Sequence, residues 1–411
     1  MLGTVLGAVL VTGCGFGAGA GPDAKPAGES AGGPAGGSAG APAGQATDPA
    51  APPRVSRAVI AVAPGDGAKD VPAAGPLDVT VADGTLTEVA VKAADGTPVP
   101  GEVSADARSW RPTGRLQLAT QYTVDAYAID AQGRPAAKHA AFTTLVPQHT
   151  VIGFFTPEDG STVGTGMIVT VRFNRPVADR AAVQRGVTVT ADPPVTVVGH
   201  WFGTQRLDLR PAEYWRAGTR VTLSLRLRDV RAAPGVYGTQ SKDVTFTIGR
   251  DQRSTVDAAA HTMTVRRAGA VVRTLPVSTG SPEHPTYNGV MVIAEKFDLT
   301  RMNSRTVGFG GEYDIPDVPH AMRLTRSGTF VHGNYWSPPA VFGTTNVSHG
   351  CIGLQDTKGG GADTPAGWFF SHSLVGDPIR VVNSHDVIVS PDNGMSGWNL
   401  PWPQWLQGSA L

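Results

Sequence analysis

The 411-residue sequence predicts a mainly β protein, with two antiparallel β-sandwich domains followed by a third domain that is also mostly β. Short runs in which apolar and polar residues alternate, such as 169–173 and 221–227, are separated by Gly, Pro and Asp turn signals. Alternation with a period of two is typical of strands that bury one face. In the third domain, residues 366–373 favour a helix, whose aromatic residues at 368–370 would supply a buried face.

Composition and charge restrict the partners of the chain. Hydrophobic residues make up 41% and charged residues 17%, which is ordinary for globular domains and supplies enough apolar material for several cores. The formal net charge is zero and no Lys or Arg cluster is long enough to follow a phosphate backbone, so nucleic acid is excluded as a partner. No run of eighteen apolar residues follows residue 13, so any membrane attachment has to come from the N-terminal segment.

The N-terminal segment 1–13 is apolar but too short to span a bilayer with ~30 Å of hydrocarbon. It predicts a signal peptide for export. Residues 11–14, Val-Thr-Gly-Cys, resemble a bacterial lipobox, in which cleavage leaves Cys14 as the first residue and a lipid modifies its thiol. Lipidation would anchor the chain to a membrane through Cys14, and an ordinary cleaved signal is the alternative.

Residues 14–53 predict a flexible tether. They are almost entirely Ala, Gly, Pro and Ser, which offer too little large apolar surface to offset the entropy cost of ordering. The reach of a Gly-rich chain grows as ~5–6 Å times the square root of its length, so the tether can hold a folded domain away from an anchor at Cys14.

Residues 54–147 and 148–249 form a degenerate repeat. Three patterns recur with offsets of 93, 99 and 104 residues, namely Pro64 with Pro157, Arg111 with Arg210, and Phe142 with Phe246. Units of about a hundred residues with this strand spacing are typical of immunoglobulin-like sandwiches, although neither has the Cys-Trp-Cys pattern of true immunoglobulin domains. Neither unit contains a catalytic constellation, which favours a role as spacers.

The third domain, residues 250–385, is where we expect the chemistry. It holds seven of the ten histidines, and its first part, 254–273, predicts a β-hairpin. It also holds Cys351, one of only two cysteines, in the run Ser348-His349-Gly350-Cys351. With Cys14 assigned to lipidation, Cys351 has no disulfide partner, and such a thiol is more often kept for reactivity than for a cross-link.

A thiol nucleophile needs a base within hydrogen-bond reach and donors for a developing oxyanion. His332 follows a β-type run nineteen positions before Cys351, and His349 shares one face of an extended backbone with it. Either imidazole would lower the thiol pKa from about 8.5 to ~3.5–7.5, the range of activated cysteines. The amide groups of Gly350 and Cys351 are candidate oxyanion donors.

Two other interpretations fit the same spacing. His332, His349 and Cys351 have ligand types suited to a metal ion, but a clear fourth ligand and a typical paired spacing are lacking. Alternatively, Cys351 is an inert buried residue beside histidines whose hydrogen bonds are satisfied in the core. The spacing alone leaves both open beside the catalytic interpretation.

A longer pattern resembles the signature of the L,D-transpeptidase family, enzymes that remodel peptidoglycan with a YkuD-type catalytic domain. The pattern consists of His332-Gly333 and Ser348-His349-Gly350-Cys351-Ile352, preceded by Ser278-Thr279-Gly280, Pro285-Thr286 and Asn288-Gly289. The two sandwiches and the lipobox are also similar to extended, membrane-anchored members of the family in actinobacteria.

The resemblance implies roles for individual residues. Cys351 corresponds to the nucleophile, His332 to the general base, and the main-chain carbonyl of Gly333 to the group that orients His332. His349 corresponds to a second active-site histidine that supports the loop or the oxyanion region. Many members have Ser in place of Gly333, and the family usually has Asn at the position of Gly353.

The resemblance also implies a substrate pocket with a lid. Tyr313 and Met302 resemble residues that line the pocket and its lid, within a glycine-rich segment at 299–330. Such a lid would exclude water from an acyl-enzyme. The other expected substrate-binding residues surround the cysteine motif and the base: Ser348, Gly350, Asn346 and Trp336.

The implied reaction is a two-step acyl transfer. Cys351 attacks a stem peptide between a diamino acid at position three and D-Ala at position four, and D-Ala leaves. The side-chain amine of a neighbouring stem then attacks the thioester to form a 3→3 cross-link, with His332 acting as base and acid. Carbapenems would give a stable adduct because the family's thiolate opens their strained ring. No metal and no organic cofactor is implied.

Other assignments remain open. Water as the acceptor would make the enzyme an L,D-carboxypeptidase, and a catalytically inactive wall-binding lipoprotein is a hypothesis of a different class. The sandwiches are predicted to be spacers, with weak binding to peptidoglycan as the alternative. We expect a monomer whose partners are donor and acceptor stem peptides. Lipidated Cys14 would hold it on the outer face of the cytoplasmic membrane, facing the cell wall.

The C-terminal tail, residues 386–411, carries Trp398, Trp402 and Trp405. We expect these residues to pack against a domain, because Trp usually buries most of its area, with stacking on glycan as the alternative. Since each sandwich has its own apolar alternation, a fragment that begins near Arg250 is predicted to fold and to keep a reactive thiol.

Overall fold

The computed structural model describes residues 55–308 and 310–411. The predicted signal segment 1–13 and the whole of the predicted tether 14–53, including Cys14, lie outside the described residues. Within them the chain is mainly β, as predicted, with twenty-seven strands and three α-helices. No helix in this described part is long and apolar enough to cross a bilayer.

Seven strands form the first sandwich: β1 (Val59–Ala63), β2 (Asp78–Ala82), β3 (Gly84–Ala93), β4 (Gly101–Val103), β5 (Ser109–Pro112), β6 (Gln121–Asp130) and β7 (Pro135–Thr143). One sheet has the order β1-β2-β5-β4 and the other the order β3-β6-β7. In β6, alternate residues from Tyr122 to Asp130 are buried and those between them are more exposed, as a half-buried strand requires. Tyr122 stacks on Phe142 in this core.

The second sandwich is built from strands β8 (His149–Val151), β9 (Gly153–Thr156), β10 (Thr162–Val163), β11 (Val169–Phe173), β12 (Val187–Asp192), β13 (Val197–Phe202), β14 (Arg206–Pro211), β15 (Arg220–Arg226), β16 (Arg231–Ala233), β17 (Val236–Gly238) and β18 (Ser241–Ile248). Its main sheets have the orders β10-β18-β15-β12 and β13-β14-β11-β9, and β16-β17-β8 form a small third sheet. Helix α1 (Arg180–Arg185) begins where the Asp179 carboxylate accepts a hydrogen bond from the Ala182 amide.

A nine-stranded sheet forms the third domain: β19 (Gln252–Asp257), β20 (Thr262–Arg267), β21 (Ala270–Ser278), β22 (Gly289–Val292), β23 (Glu295–Asn303), β24 (Asp314–Arg323), β25 (Phe330–Asn334), β26 (Ile352–Gln355) and β27 (Pro378–Val382). The order is β22-β27-β19-β20-β21-β26-β25-β24-β23. The predicted hairpin is β20 and β21, which turn at Ala268 and Gly269, both with positive φ. The parallel pair β25 and β26 sets His332 opposite Gly353.

The predicted helix is α2 (Pro365–Ser371), close to the expected 366–373. It starts at Thr364, whose side chain accepts a hydrogen bond from the Gly367 amide, and Pro365 occupies the first turn, where its missing N–H costs nothing. Phe369 is the aromatic residue that is fully buried. Its two aromatic neighbours are partly buried, because consecutive helical residues cannot share one face.

The C-terminal tail packs against the second sandwich, as predicted for its tryptophans. Trp405, in helix α3 (Trp402–Gln407), is fully buried, and its indole donates to the Val198 carbonyl at 2.9 Å. The Trp398 indole donates to the Gly166 carbonyl at 2.7 Å. Both acceptors belong to the second sandwich, so the tail returns from the third domain to its neighbour.

Two buried arginines of β14 strengthen this junction. The Arg210 guanidinium lies 4.3 Å from the ring centroid of Trp405 and 4.5 Å from that of Trp398. Arg206 donates to the backbone carbonyls of Asp392 and Gly394. A fragment that begins near Arg250 would remove all of these partners. The packing therefore argues against the expected independent folding of the third domain.

Replacing Trp405 with alanine is expected to cost about 3–5 kcal/mol of unfolding free energy, because it leaves a large cavity under Arg210. Trp402 is a matched control, since its indole is only partly buried against the same guanidinium. Urea denaturation of the full chain measures the difference. Equal losses for the two alanine variants would show that Trp405 does not hold the tail in place.

Candidate active site

Two adjacent parallel strands bring the predicted base and the predicted nucleophile to one place. His332 lies in the middle of β25, and Cys351 directly precedes β26. Both side chains are buried and line the same cavity, of about 260 Å³. The intervening loop therefore folds back so that two residues nineteen positions apart meet at one site.

The cavity collects most, but not all, of the predicted site residues. Those that line it are Cys351, His332, His349, Ser348, Tyr313, Met302 and Trp336. Gly333, Gly350 and Asn346 do not line it. Met302 and Tyr313 belong to the 299–330 segment and pack in one apolar cluster with Cys351. The segment predicted to be a lid thus contributes one wall of the cavity.

A hydrogen bond to the neighbouring backbone orients His332. Its Nδ1 donates to the carbonyl oxygen of Gly333 at 2.9 Å, which is the contact that the resemblance assigns to Gly333. A carbonyl can only accept, so Nδ1 carries the proton and Nε2 keeps its lone pair. The Trp336 ring stacks on the imidazole with centroids 5.7 Å apart. The ring is therefore held with an unprotonated nitrogen available to act as a base.

Glycine at position 333 is required by a buried carboxylate. A Cβ atom placed there would collide with Oδ2 of Asp356. That oxygen is already held by His320 Nδ1 at 2.7 Å, while Oδ1 accepts from Thr364 Oγ1 at 2.9 Å. The His320–Asp356 pair thus explains why position 333 holds glycine rather than a residue with a side chain. Neither residue was singled out from the sequence.

Burial controls the charges of the two central residues. It raises the pKa of the Cys351 thiol to about 11 and lowers the pKa of His332. The thiol donates weakly to the Gly328 carbonyl at 3.6 Å. The expectation that an imidazole depresses the thiol pKa is therefore wrong for the free protein. A neutral thiol and a neutral base line the same cavity, and proton transfer has to accompany nucleophilic attack.

This assignment predicts that no thiolate forms on Cys351 at neutral pH. Subtracting the ultraviolet absorbance of Cys351→Ser from that of the wild type isolates this thiol, because Cys14 contributes equally to both proteins. The thiolate signal should emerge only as the pH approaches about 11. A thiolate signal at pH 7 would instead establish a preformed ion pair.

His349 occupies a different environment. Its Nε2 lies 2.8 Å from Oε2 of Glu312, and its ring stacks on that of His284 with centroids 4.9 Å apart. The Tyr313 ring lies 5.0 Å from the imidazole, and burial raises the pKa of Tyr313 to about 12, so its hydroxyl stays protonated. Because the distal nitrogen of His349 faces a carboxylate, the geometry supports a secondary role rather than that of the base.

The turn before Cys351 uses the Gly350 amide internally. Gly350 has φ of 100°, a conformation that favours glycine, and its amide donates to Ser348 Oγ at 3.2 Å. The same hydroxyl donates to the Cys351 carbonyl at 2.6 Å. The prediction of Gly350 as an oxyanion donor is therefore not supported in this state. Ser348 fixes the turn that presents the thiol.

Asn346 supports the loop instead of lining the cavity. Its Oδ1 accepts from the Thr279 amide and from His261 Nδ1, each at 2.9 Å, and its Nδ2 donates to the Ala258 carbonyl at 2.9 Å. All of these partners lie on the far side of the loop, around a second cleft. This network turns the Asn346 side chain away from the cavity, so the structure does not place it where the prediction of substrate binding requires.

Asn334 is a cavity residue that the sequence reasoning missed. Its Oδ1 accepts from the Ser337 amide at 2.9 Å and its Nδ2 donates to Ser337 Oγ at 3.0 Å, which fixes the turn after β25. A Cβ atom on Gly353 would lie 3.7 Å from Asn334 Nδ2. The amide group therefore stands beside the position where the family usually has Asn. Its place two residues after His332 on one strand is the signal that could have identified it.

Comparisons with known proteins agree with this geometry. Residues 251–381 match the model of the L,D-transpeptidase catalytic domain, and residues 68–231, which reach across both sandwiches, match a bacterial Ig domain. The chain is 34% identical over 350 residues to L,D-transpeptidase 2 of Mycobacterium tuberculosis, covering 84% of this chain and 83% of that protein. It is 32% identical to L,D-transpeptidase 5 of the same organism, covering 85% and 76%.

Solved structures include an L,D-transpeptidase in complex with imipenem, which is 33% identical, covers 58% of this chain and all of that one, and has a TM-score of 0.47. The two Mycobacterium tuberculosis relatives each match more than four-fifths of this chain, and the catalytic-domain match spans residues 251–381. The cavity around Cys351 and His332 lies inside that matched domain. The chain therefore belongs to the L,D-transpeptidase family and is an enzyme of that family.

Proposed function

We propose that this enzyme forms 3→3 cross-links between peptidoglycan stem peptides through a thioester on Cys351. The observation that supports the proposal is the shared cavity, in which a buried thiol and an unprotonated, oriented imidazole meet. General-base catalysis needs this pair of groups in these protonation states. The neighbouring apolar cluster with Met302 and Tyr313 keeps the thiol out of bulk water.

In the first step, Cys351 Sγ attacks the carbonyl carbon between the diamino acid and D-Ala of the donor stem. His332 Nε2 takes the thiol proton as the S–C bond forms. The imidazolium then gives that proton to the nitrogen of D-Ala as the C–N bond breaks, so D-Ala leaves as an amine. The Gly333 carbonyl stabilises the transient imidazolium, because it accepts from Nδ1 in both protonation states.

In the second step, the side-chain amine of an acceptor stem attacks the thioester carbonyl. His332 takes a proton from the attacking nitrogen and returns it to sulfur as the C–S bond breaks, which regenerates the neutral thiol. The raised pKa of Cys351 makes its thiolate a poor leaving group unless it is protonated as it departs. The same imidazole is placed to supply that proton.

Incubation of the purified enzyme with a disaccharide-tetrapeptide, followed by mass spectrometry, tests the proposal. The expected products are free D-Ala and a cross-linked dimer whose fragmentation shows a bond between two diamino acids at position three. A disaccharide-tripeptide as the sole product would instead identify water as the acceptor and make the enzyme an L,D-carboxypeptidase. An unchanged substrate would favour an inactive wall-binding protein.

We also propose that a lipid on Cys14 anchors the enzyme to the outer face of the cytoplasmic membrane, with the sandwiches as spacers toward the wall. The support is the lipobox-like run 11–14 followed by the Ala/Gly/Pro-rich segment. Changing Cys14 to alanine should move the protein from the membrane fraction to the soluble fraction without changing its carbapenem reactivity. A variant that still sediments with membranes would contradict the lipid anchor.

A further inference from the structure

A group of three metal-ligating side chains lies beside the active-site cavity and is not used by the mechanism above. His284 comes from the loop between β21 and β22, Glu312 from the segment between β23 and β24, and His349 from the turn before Cys351. Their ligand atoms all lie within 4.8 Å of one another. Three segments that are distant in sequence therefore converge on one point.

The donor atoms lie close to one carboxylate oxygen. His349 Nε2 lies 2.8 Å and His284 Nε2 lies 3.5 Å from the same oxygen, Oε2 of Glu312. The two imidazole rings are nearly parallel, with an interplanar angle of 18°. A zinc ion with ligands at about 2.0–2.2 Å separates tetrahedral ligand atoms by about 3.4 Å. The two nitrogen–oxygen distances are already near that spacing, and rotation of one imidazole out of the stack would turn both ring nitrogens toward the ion.

The chemistry of the group also suits zinc. Two neutral imidazoles and one carboxylate are the ligand set of catalytic zinc sites that leave the fourth position to water. The side chains of His284, His349 and Glu312 are 30%, 32% and 50% exposed, so water can reach that position. An ordinary histidine–carboxylate pair on this protein, His139 with Asp125 at 2.7 Å, has a single imidazole and provides a comparison.

We propose that His284, Glu312 and His349 bind one zinc ion that ties the segment 310–313 to the loop preceding β22. Tyr313, the residue after Glu312, lines the cavity, and His349 lies two residues before Cys351. A bound ion would therefore hold one cavity wall against the nucleophile turn and restrict access to the thiol. Zinc becomes a reversible inhibitor of this enzyme. The inhibition by zinc rests on the proposed chemistry of Cys351, whereas the binding of zinc to the three side chains does not depend on it.

Titration of the full-length protein with zinc alone, in competition with a chromophoric chelator, tests the binding. Loss of a ligand should weaken binding by at least about tenfold, since even the removal of an outer-shell partner costs 10–100-fold. We expect this loss for His284→Gln and Glu312→Gln and no change for the control His139→Gln. Cys351→Ser should keep the site. Unchanged zinc affinity in His284→Gln would overturn the proposal. Loss of zinc binding in Cys351→Ser would also overturn it, because the metal would then be bound by the thiol.

Carbapenem acylation with and without zinc tests the inhibition. Saturating zinc should slow adduct formation on the wild type, and a chelator should restore the rate of the metal-free protein. His284→Gln should be insensitive to zinc at the same concentration. Equal slowing of wild type and His284→Gln would overturn the inhibitory role. Failure of the metal-free wild type to form any adduct would contradict the proposed function instead, while the zinc titration would still decide the site.

Discussion

Replacing Cys351 with alanine is expected to abolish covalent capture of a carbapenem and all release of D-Ala. The variant keeps the base and the cavity but has no atom that can form the thioester. Intact-protein mass spectrometry should count one drug mass on the wild type and none on Cys351→Ala. The substitution removes only a sulfur atom from a tightly packed position, so the variant should remain folded.

The chain offers a matched control for this experiment in its other cysteine. Cys14→Ala retains the buried thiol and should gain one drug mass at the wild-type rate. An adduct on Cys351→Ala would remove the cysteine mechanism, because the drug would then be attached to another nucleophile. If the wild type forms the drug adduct but releases no D-Ala from the tetrapeptide, then Cys351 reacts with carbapenems but not with this stem peptide. That result would contradict the proposed substrate.

The sequence predicts the fold class and the central pair because both depend on local signals. Alternating runs require only that one face of a strand be buried, and strands such as β6 meet that condition residue by residue. The meeting of His332 and Cys351 follows from the resemblance, since the spacing alone also allowed a metal site. The contact between His332 and the Gly333 carbonyl joins neighbours in the chain, so a motif can carry it.

Features that depend on distant residues could not be predicted. The raised pKa of Cys351 is caused by burial, which depends on Met302, Val318 and Phe330 in other strands. A motif that suggests an activated cysteine contains no information about this packing. Similarly, Gly333 is explained by a carboxylate at Asp356, twenty-three positions later. The role of Asn346 is set by contacts to residues about 67 to 88 positions earlier.

The tail shows how composition can predict burial without predicting the partner. Three tryptophans in a short segment indicate packing, because large aromatic surfaces are rarely left in water. Only the structure identifies the partner as the second sandwich, through Arg210 and the Val198 carbonyl. Because the tail packs on the second sandwich, the third domain depends on its neighbour for stability. The alternation of apolar residues within the third domain does not indicate this dependence.

Replacing His332 with alanine is expected to slow acylation by about 10²–10⁴-fold, the usual size of general acid–base assistance. The effect should be near the upper end, because a thiol with a pKa of about 11 supplies almost no thiolate of its own at neutral pH. His349→Ala should be milder, since the Nε2 of that residue faces Glu312 rather than the thiol. The rate of carbapenem adduct formation, measured by mass spectrometry, compares the two variants.

The dependence of the wild-type rate on pH supplies an independent check on the same assignment. Burial lowers the pKa of His332, so its imidazole remains unprotonated as the pH falls through about 6.5, the ordinary value for histidine. The acylation rate should therefore persist below that pH and decline only when the buried imidazole finally takes a proton. A decline centred at the ordinary value would point to an exposed histidine as the base. Equal rates for the two alanine variants, or a slower His349→Ala, would overturn the assignment of His332 and make His349 the base.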